Sequence, residues 1–130
     1  MVRLKKAVLL DTQPFVSAFL GELPKRSEVF LSDPALERYL SPMSIMEIAI
    51  KSRKNKIAMS ESAVMQAIDD LQIIVLSFTS RHAQKLFTLP EVRDHDDPWD
   101  RAIIAMALSE ELPVMTSDRK FRKYSGLRVI

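Results

Sequence analysis

The chain has 130 residues, of which 47% are hydrophobic, with only two glycines and no cysteine. This length, residues 1–130, is sufficient for one compact domain with a buried core. The absence of cysteine excludes a disulfide framework, a thiolate zinc site and a cysteine nucleophile, and it is typical of proteins in a reducing cytoplasm. No apolar run approaches the roughly 20 residues that are needed to cross a bilayer. We therefore expect a cytoplasmic protein that does not enter a membrane.

The charge distribution is mildly basic. A net charge of +2 and an isoelectric point near 9.0 are compatible with nucleic-acid binding but do not establish it. Basic side chains cluster in two runs, which are Lys51, Arg53, Lys54 and Lys56, and Arg119, Lys120, Arg122 and Lys123. Each run either forms a solvated surface or contacts a phosphate backbone, and the sequence leaves both interpretations open.

The predicted elements alternate between strands and helices. Residues 7–10 form an apolar run typical of a buried strand, and the helical pattern that follows it ends at Gly21. Further helices are predicted over 25–31, 44–53, 60–71, 80–89 and 101–111, and further strands over 38–41, 73–76, 113–116 and 127–130. This alternation indicates an α/β fold in which helices cover both faces of a parallel sheet.

Four acidic residues lie at or just past the ends of these elements, namely Asp11, Glu47, Asp100 and Asp118. Ligands of open parallel sheets bind beyond the carboxyl ends of the strands, where Asp11 and Asp118 are expected. Glu47 and Asp100 are near the starts of helices, which begin at the same edge. Hard dications such as Mg²⁺ prefer carboxylate oxygens and commonly act on phosphates. The pattern therefore favours a metal-dependent nuclease.

Each acid also has a purely structural interpretation. Ser44 and Glu47 match a capping box, in which the side chain of Glu at the third helical position accepts a hydrogen bond from the backbone amide of the N-cap Ser. Asp97 suits an N-cap, with Pro98 at the first helical position. The acids that follow strands suit a helix cap or a turn. Any one of these interpretations is reasonable, but four acids at the same edge favour a shared site.

Other polar side chains near the acids are open to two interpretations. His95, in an acidic loop, is more typical of a hydrogen-bonding anchor than of a metal ligand or general base, and His82 is predicted to lie at the surface of a helix. Thr12, Thr116 and Ser117 flank the acids. They either bind the carboxylates or a metal-bound water, or they satisfy backbone groups at the strand ends.

Four segments together resemble the motifs of PIN-domain proteins. Residues 9–12 (LLDT) resemble the start of that family, and residues 44–51 (SIMEIAIK) resemble its second acidic motif. Residues 95–101 (HDDPWDR) resemble the third motif, and residues 116–119 (TSDR), with Phe121 and Tyr124 after them, resemble the fourth. The match runs in order over nearly the whole chain. The most similar subgroup is the VapC-like toxins of bacterial and archaeal toxin–antitoxin pairs.

The resemblance implies a three-layer α/β/α sandwich with a central, mainly parallel sheet. It also implies an endoribonuclease that depends on Mg²⁺ or Mn²⁺, forms a homodimer and is inhibited by a small antitoxin protein. The catalytic and metal-binding quartet of the family falls on Asp11, Glu47, Asp100 and Asp118, and Asp97 matches an additional acid of the subgroup that we also expect at the metal. Side chains expected to contact RNA are Thr12, Thr116, Ser117, Arg101, Arg119 and Lys51.

The chain departs from the family pattern at three positions. Gln13 replaces a common His, Pro14 is unusual just inside a first helix, and Asn55 replaces a common Gly. None of these changes removes a carboxylate. We therefore expect activity to be retained, and the fit of RNA near the first helix to differ from that in relatives.

Other function classes fit less well. Phosphohydrolases with a nucleophilic Asp usually carry a second acid two positions later, where this chain has Gln13. Receiver domains need a phosphoacceptor Asp near the middle of the chain, and Asp69 and Asp70 lie in a helical pattern. The stronger alternative is a non-catalytic binding or regulatory module that keeps the fold without the activity.

Overall fold

The computed structural model describes residues 6–130, so the first five residues of the predicted domain lie outside the described part. The strands are β1 (Lys6–Leu10), β2 (Leu36–Leu40), β3 (Ile73–Val75) and β4 (Val114–Met115). The helices are α1 (Thr12–Leu20), α2 (Lys25–Leu31), α3 (Pro42–Arg53), α4 (Glu61–Asp70), α5 (Ser80–Lys85) and α6 (Pro98–Glu110). Two 3-10 segments cover Leu86–Thr88 and Arg119–Lys123.

The four strands form one parallel sheet in the order β3-β2-β1-β4. Leu10, at the end of β1, pairs with Leu40 at the end of β2 and with Met115 at the end of β4. The carboxyl ends of the three strands are therefore level. The residues that follow β1 and β4 lie at the same edge of the sheet.

Helices cover both faces of the sheet. As a result, the central strand β1 is buried on both sides. Val8 and Leu10 pack in one apolar cluster with buried residues of α1 to α4, whereas Leu9 packs in a second cluster with α6, Phe121 and Tyr124. Successive side chains of a strand point to opposite faces, so these clusters lie above and below the sheet. The predicted three-layer α/β/α sandwich with a parallel sheet is confirmed.

The predicted last strand, over 127–130, is wrong. Within the described chain these residues contribute an isolated parallel bridge between Val129 and Val114. The Val114 amide donates to Arg128 O at 2.9 Å, and the Ile130 amide donates to Val114 O at 2.8 Å. Because β4 itself has only two residues, the pairing cannot extend into a ladder.

Several helix boundaries also differ from the prediction. The helix predicted from residue 44 begins at Pro42, and the helix predicted from residue 101 begins at Pro98. Proline is favoured at the first helical position, where its missing N–H has no partner to lose. The helix predicted over 80–89 ends at Lys85 and continues as the 3-10 segment Leu86–Thr88.

One departure from the family pattern has a backbone explanation. Asn55, where a Gly is common, follows α3 with a φ of 56°. Asn is among the few non-glycine residues that adopt this left-handed conformation readily, so the turn is kept. Between residues 6 and 130, no helix combines the length and apolar character that a membrane crossing would require.

Candidate metal centre

Asp11 lies at the junction of β1 and α1 and is only 6% exposed. Its Oδ1 accepts a hydrogen bond from the Thr12 amide at 2.8 Å, so Asp11 caps α1. Its Oδ2 accepts a hydrogen bond from Thr116 Oγ1, also at 2.8 Å. Both carboxylate oxygens therefore have a protein donor, and the side chain is fixed at the edge of the sheet.

The pKa of Asp11 is raised to about 6, mainly because burial disfavours its charged form. The negative charges of Glu47 and Asp118 raise it further, whereas the hydrogen bonds from Thr116 and Thr12 lower it. The carboxylate is therefore close enough to two other acids to be affected by their charge.

Glu47 points from α3 into the same edge and is also 6% exposed. Its Oε1 accepts a hydrogen bond from Thr12 Oγ1 at 2.6 Å, and its Oε2 accepts one from Lys51 Nζ at 2.5 Å. Thr12 Oγ1 is also 2.9 Å from Ser44 Oγ. The pKa of Lys51 is raised, first because of its hydrogen bond to Glu47 and then because of nearby acidic charges. The ammonium group of Lys51 therefore pairs directly with one of the carboxylates of the site.

The capping-box interpretation of Glu47 is wrong. The N-cap of α3 is Ser41, whose side chain accepts a hydrogen bond from the Met43 amide. Because α3 begins at Pro42, the third helical position is occupied by Ser44 and not by Glu47. Glu47 is therefore beyond the first turn and is free to turn inward.

Asp97 and Asp100 stand at the start of α6. Asp97 is the N-cap, as predicted, and its Oδ1 accepts hydrogen bonds from the Trp99 and Asp100 amides at 2.8 and 3.1 Å. The Asp100 side chain is 21% exposed. Among residues 6–130 no hydrogen-bond donor is bound to the Asp100 carboxylate, which sets it apart from the other acids at this edge.

The pKa of Asp100 is raised to about 7. Burial is the main cause, followed by the charges of Asp11, Asp97, Glu47 and Asp118 in that order. All four predicted acids, together with Asp97, therefore interact electrostatically around Asp100. A dication would relieve this repulsion.

Asp118 follows β4 and caps the 3-10 segment Arg119–Lys123 through a hydrogen bond from the Lys120 amide to Oδ1, at 2.9 Å. The Asp118 amide in turn donates to Thr116 Oγ1 at 3.0 Å. Thr116 thus links Asp118 to Asp11. Asp11 and Asp118 each cap a helical segment and also belong to the acidic cluster. The structural interpretation of these two acids is therefore compatible with a shared site.

His95 completes the cluster from the loop before α6. It is 4% exposed, and its Nδ1 is 2.7 Å from Tyr124 Oη, so the predicted hydrogen-bonding anchor is confirmed. Its Nε2 is 3.2 Å from Asp100 Oδ2 and 3.5 Å from Asp118 Oδ2, but it forms no hydrogen bond. One ligand atom each from His95, Asp100 and Asp118 lie within 4.8 Å of one another. A buried nitrogen without a partner beside two carboxylates fits the binding of a dication.

The side chains expected to contact RNA fall into four groups. Thr12 and Thr116 bind the acids, as one of their two interpretations predicts. The Arg101 guanidinium donates to Pro90 O at 3.0 Å and to Tyr124 Oη at 3.1 Å, so it holds the surrounding loops together. Lys51 pairs with Glu47, as described above. Ser117 and Arg119 are exposed at this edge, and their side chains are open to a ligand.

A cleft of 230 Å³ adjoins the acids on the α1 side. Gln13 and Pro14, both departures from the family pattern, line it together with Thr116 and Ser117. Residues of α1, of α2 and of the connection between them also line the cleft. Two of the three departures from the family pattern therefore line a cleft beside Thr116, the residue that binds Asp11.

Sequence reasoning missed three side chains. Tyr124 and Ser44 contact the cluster through hydroxyl groups, and only their places in the motifs hinted at this. His82 was predicted at the surface but is 2% exposed. Its Nδ1 accepts a hydrogen bond from the Thr79 amide and its Nε2 is 2.8 Å from Glu110 Oε1, so it caps α5 from inside the protein.

Comparison with solved structures shows the same fold. VapBC2 from Rickettsia felis, bound to a DNA fragment from its promoter, is 15% identical with a TM-score of 0.69, covering 95% of this chain and 97% of that chain. DNA-bound VapBC from Salmonella typhimurium is 20% identical, with a TM-score of 0.67 and coverage of 96% and 97%. A toxin–antitoxin complex from Klebsiella pneumoniae is 18% identical, with a TM-score of 0.64 and coverage of 95% of both chains.

Sequence comparison gives two results. No protein with a curated description matches the chain significantly. The family described as the PIN domain matches residues 8–127, a range that begins within β1 and includes every later element up to the 3-10 segment Arg119–Lys123. This match includes all the acids described above. The chain belongs to the PIN domain family.

Proposed function

We propose that the chain is a single nuclease domain, the toxin component of a toxin–antitoxin pair, and a metal-dependent endoribonuclease. The observation that carries this proposal is the convergence of Asp11, Glu47, Asp100 and Asp118 at one edge of the sheet. The pKa of Asp100 is raised to about 7, first by burial and then by the charges of the neighbouring acids. Such a site is suited to a dication and to the phosphate of a nucleic acid.

Mg²⁺ or Mn²⁺ would be held by Asp100 and Asp118, with Asp11 and Glu47 completing the ligand set directly or through water. When bound, the ion supplies activation of a water molecule and neutralisation of the charge that builds on the phosphate. We place Asp97 at the edge of the site, where its charge acts on Asp100 while its side chain caps α6.

The chain's own groups orient the reacting parts. Thr116 and Thr12 fix the carboxylates of Asp11 and Glu47, so these oxygens do not need to reorganise when the substrate binds. In the proposed hydrolysis, the oxygen of water forms a bond to phosphorus, the bond to the leaving ribose oxygen breaks, and that oxygen takes up a proton. No side-chain nucleophile takes part. Arg119 and Ser117 are exposed where the RNA backbone would pass.

Similar structures suggest the partners. One of them is a toxin–antitoxin complex, and two are VapBC proteins bound to DNA. We extend this to propose that a small cognate antitoxin covers the acidic edge, that the chain forms a homodimer and that it acts in the cytoplasm. The absence of cysteine is consistent with a reducing compartment.

RNA cleavage by the purified protein, free of antitoxin, tests the proposal. We expect discrete products from total cellular RNA in Mn²⁺ or Mg²⁺, and none with EDTA. Asp100→Asn should reduce the rate at least about 100-fold, because it removes a metal ligand. Asp69→Asn is the matched control, since Asp69 is an exposed acid on α4 with no side-chain partner among residues 6–130. Equal rates for Asp100→Asn and the unmodified protein would contradict the assignment.

The alternative is a PIN-fold binding or regulatory module without catalysis. The gathering of Asp11, Glu47, Asp100 and Asp118 at one edge, with no donor bound to Asp100 among residues 6–130, favours the nuclease. Thermal unfolding in Mn²⁺ separates the two. A working site is stabilised by RT ln(1 + [L]/Kd), whereas a module without a metal site shows no such shift.

A further inference from the structure

The second histidine of this chain, His95, faces the acids with a ring nitrogen that forms no hydrogen bond within residues 6–130. Its Nδ1 is bonded to Tyr124 and its Nε2 has no hydrogen-bond partner, although the residue is 4% exposed. A buried polar atom without a partner is costly and therefore rare. This is the only such side-chain atom among residues 6–130.

We propose that His95 Nε2 is a direct ligand of the metal, together with Asp100 and Asp118, and that this nitrogen makes the site prefer transition-metal dications such as Mn²⁺ and Co²⁺ over Mg²⁺. The inference rests on the proposed metal-dependent function, because it concerns the same site. It adds a ligand and a metal preference that the acidic quartet alone does not provide.

The distances match the spacing of ligands around one ion. Metal–ligand bonds of about 2.1 Å place neighbouring ligand atoms about 3.0 Å apart in an octahedron and about 3.4 Å apart in a tetrahedron. His95 Nε2 is 3.2 Å from Asp100 Oδ2 and 3.5 Å from Asp118 Oδ2. The ring nitrogen therefore has the separation of a ligand from both carboxylates.

The close approach to two carboxylates is not a pair of hydrogen bonds. Neither oxygen meets hydrogen-bond geometry, since Nε2 has no partner despite these distances. An ion between the three groups would satisfy the nitrogen lone pair and both charges. The chain thus offers one nitrogen and two oxygen ligands that converge on one point.

The other side of the ring is held as metal-binding histidines usually are. Such a histidine commonly uses its second nitrogen for a hydrogen bond that fixes the ring and its tautomer. Here Nδ1 is 2.7 Å from Tyr124 Oη, which also accepts a hydrogen bond from Arg101 at 3.1 Å. Phe121 packs edge-on against the ring at 5.5 Å between centroids. In the tautomer in which Nδ1 carries the proton, Nδ1 donates a hydrogen bond to Tyr124 Oη and the lone pair of Nε2 faces the acids.

The ligand type determines the preference among metals. Imidazole nitrogen suits transition metals, whereas Mg²⁺ strongly prefers oxygen and keeps several waters. A site with carboxylates alone would accept Mg²⁺ and Mn²⁺ with little distinction. Replacing one oxygen by His95 Nε2 raises affinity along the order Mg²⁺, Mn²⁺, Co²⁺.

Nitrogen NMR tests the ligand directly, because the sequence has only two histidines. Long-range ¹H–¹⁵N correlations of the full chain, labelled at histidine, should be recorded before and after addition of Zn²⁺ as a diamagnetic probe. We expect the His95 Nε2 resonance to shift as that atom binds the ion, with Nδ1 protonated, while His82 is unchanged. Nε2 that still carries a proton at saturating Zn²⁺, or an unchanged His95 spectrum, would overturn the proposal.

Calorimetry tests the preference. His95→Gln should weaken Co²⁺ and Mn²⁺ binding at least about 10-fold and Mg²⁺ binding less than about threefold. His82→Gln, at the other buried histidine, should change neither. An equal loss for all three metals would mean that His95 only positions the carboxylates, and it would overturn the proposal. The NMR result on the unmodified protein remains decisive if a variant fails to fold.

The outcome also separates this inference from the proposed function. RNA cleavage in Mg²⁺ that stops in EDTA, combined with a protonated Nε2, would leave the nuclease intact and remove His95 from the ligand set. Zn²⁺ bound at His95 without cleavage of any RNA would support the site and contradict the nuclease.

Discussion

The two halves of the carboxylate cluster differ in how far the protein satisfies them. Asp11 and Glu47 are each 6% exposed, and protein groups donate to both oxygens of each. Asp100 and Asp118 have side chains that are 21% and 36% exposed. Among residues 6–130 they share a single hydrogen bond from a backbone amide to Asp118.

This difference indicates a division of roles within the site. Threonine hydroxyls and one lysine hold the first half, which is rigid without any ligand. The second half has free carboxylate oxygens beside an unpartnered imidazole nitrogen. The unsatisfied half is therefore where an ion gains most, and the satisfied half provides the fixed surface against which that ion would be held.

The largest effect that we predict is on the stability that the protein gains when it binds a metal ion. With free Mn²⁺ at about 100 times its Kd, the free energy of unfolding should rise by about 2.7 kcal/mol. Asp100→Asn and Asp118→Asn should each lose most of that gain, because they remove charge from the unsatisfied half. Asp69→Asn should keep it. Denaturant unfolding with and without Mn²⁺ measures all four proteins, and full stabilisation of both site variants would place the ion elsewhere.

The pH dependence of the metal-free protein should show the repulsion around Asp100. Its pKa rises from 3.8 in the unfolded chain to about 7 in the folded protein. The folded state then binds more protons between these values, so its stability falls as the pH rises from about 4 to about 7. The full shift corresponds to about 4 kcal/mol, and solvent screening of this partly exposed side chain reduces the loss that we expect, relative to Asp100→Asn, to on the order of 2 kcal/mol.

Urea unfolding at several pH values, in EDTA, provides this difference. Saturating Mn²⁺ is the control, since an ion that neutralises the acids should remove most of the pH dependence. Parallel stability curves for the two proteins in EDTA would show that the pKa of Asp100 is not raised, and would contradict the combined effect of burial and neighbouring acids that we describe.

The satisfied half should depend on its threonines. Thr116→Val removes the hydroxyl that donates to Asp11 and accepts from the Asp118 amide. A buried carboxylate oxygen then lacks its donor, which should cost about 1–2 kcal/mol of stability. Thr88→Val, at an exposed threonine, should cost less than about 0.5 kcal/mol. Thermal unfolding compares them, and equal losses would mean that the hydroxyl contributes nothing special.

The smallest effect distinguishes the charge of Asp97 from its cap. Asp97→Asn keeps a good N-cap for α6 but removes a charge that raises the pKa of Asp100. Stability should change by less than about 0.5 kcal/mol, whereas Asp97→Ala should cost about 1 kcal/mol. Carboxyl ¹³C NMR should show a lower pKa for Asp100 in Asp97→Asn. An unchanged pKa would show that Asp97 is too far away to affect it.

Much of the fold and of the acidic edge was predictable because the signals are local. An apolar run that ends in an acid is visible in the sequence at Asp11 and Asp118, and parallel strands bring such ends together. The position of Glu47 was predicted, but its capping role was wrong because Pro42 moved the helix start. The roles of the acids as ligands remain predictions.

The histidines show why the rest was not predictable. His82 stands in a mainly polar stretch, with Arg81 before it and Gln84 and Lys85 soon after, so its contact with Glu110, 28 residues away, left no local signal. The orientation of the His95 ring is set by its hydrogen bond to Tyr124, which lies 29 residues further along the chain. The strand predicted over 127–130 failed because a strand needs a partner of matching length, and β4 has only two residues.

Anomalous diffraction from a crystal grown with Mn²⁺ tests the central claim most directly, because it locates the ion without relying on activity. We expect one anomalous peak within about 2.3 Å of Asp100 and Asp118 oxygens and of His95 Nε2. The Thr116 and Thr12 hydrogen bonds should remain as they are. A peak bound only by Asp11 and Glu47, or none at this edge, would contradict the division of the site into a satisfied and an unsatisfied half.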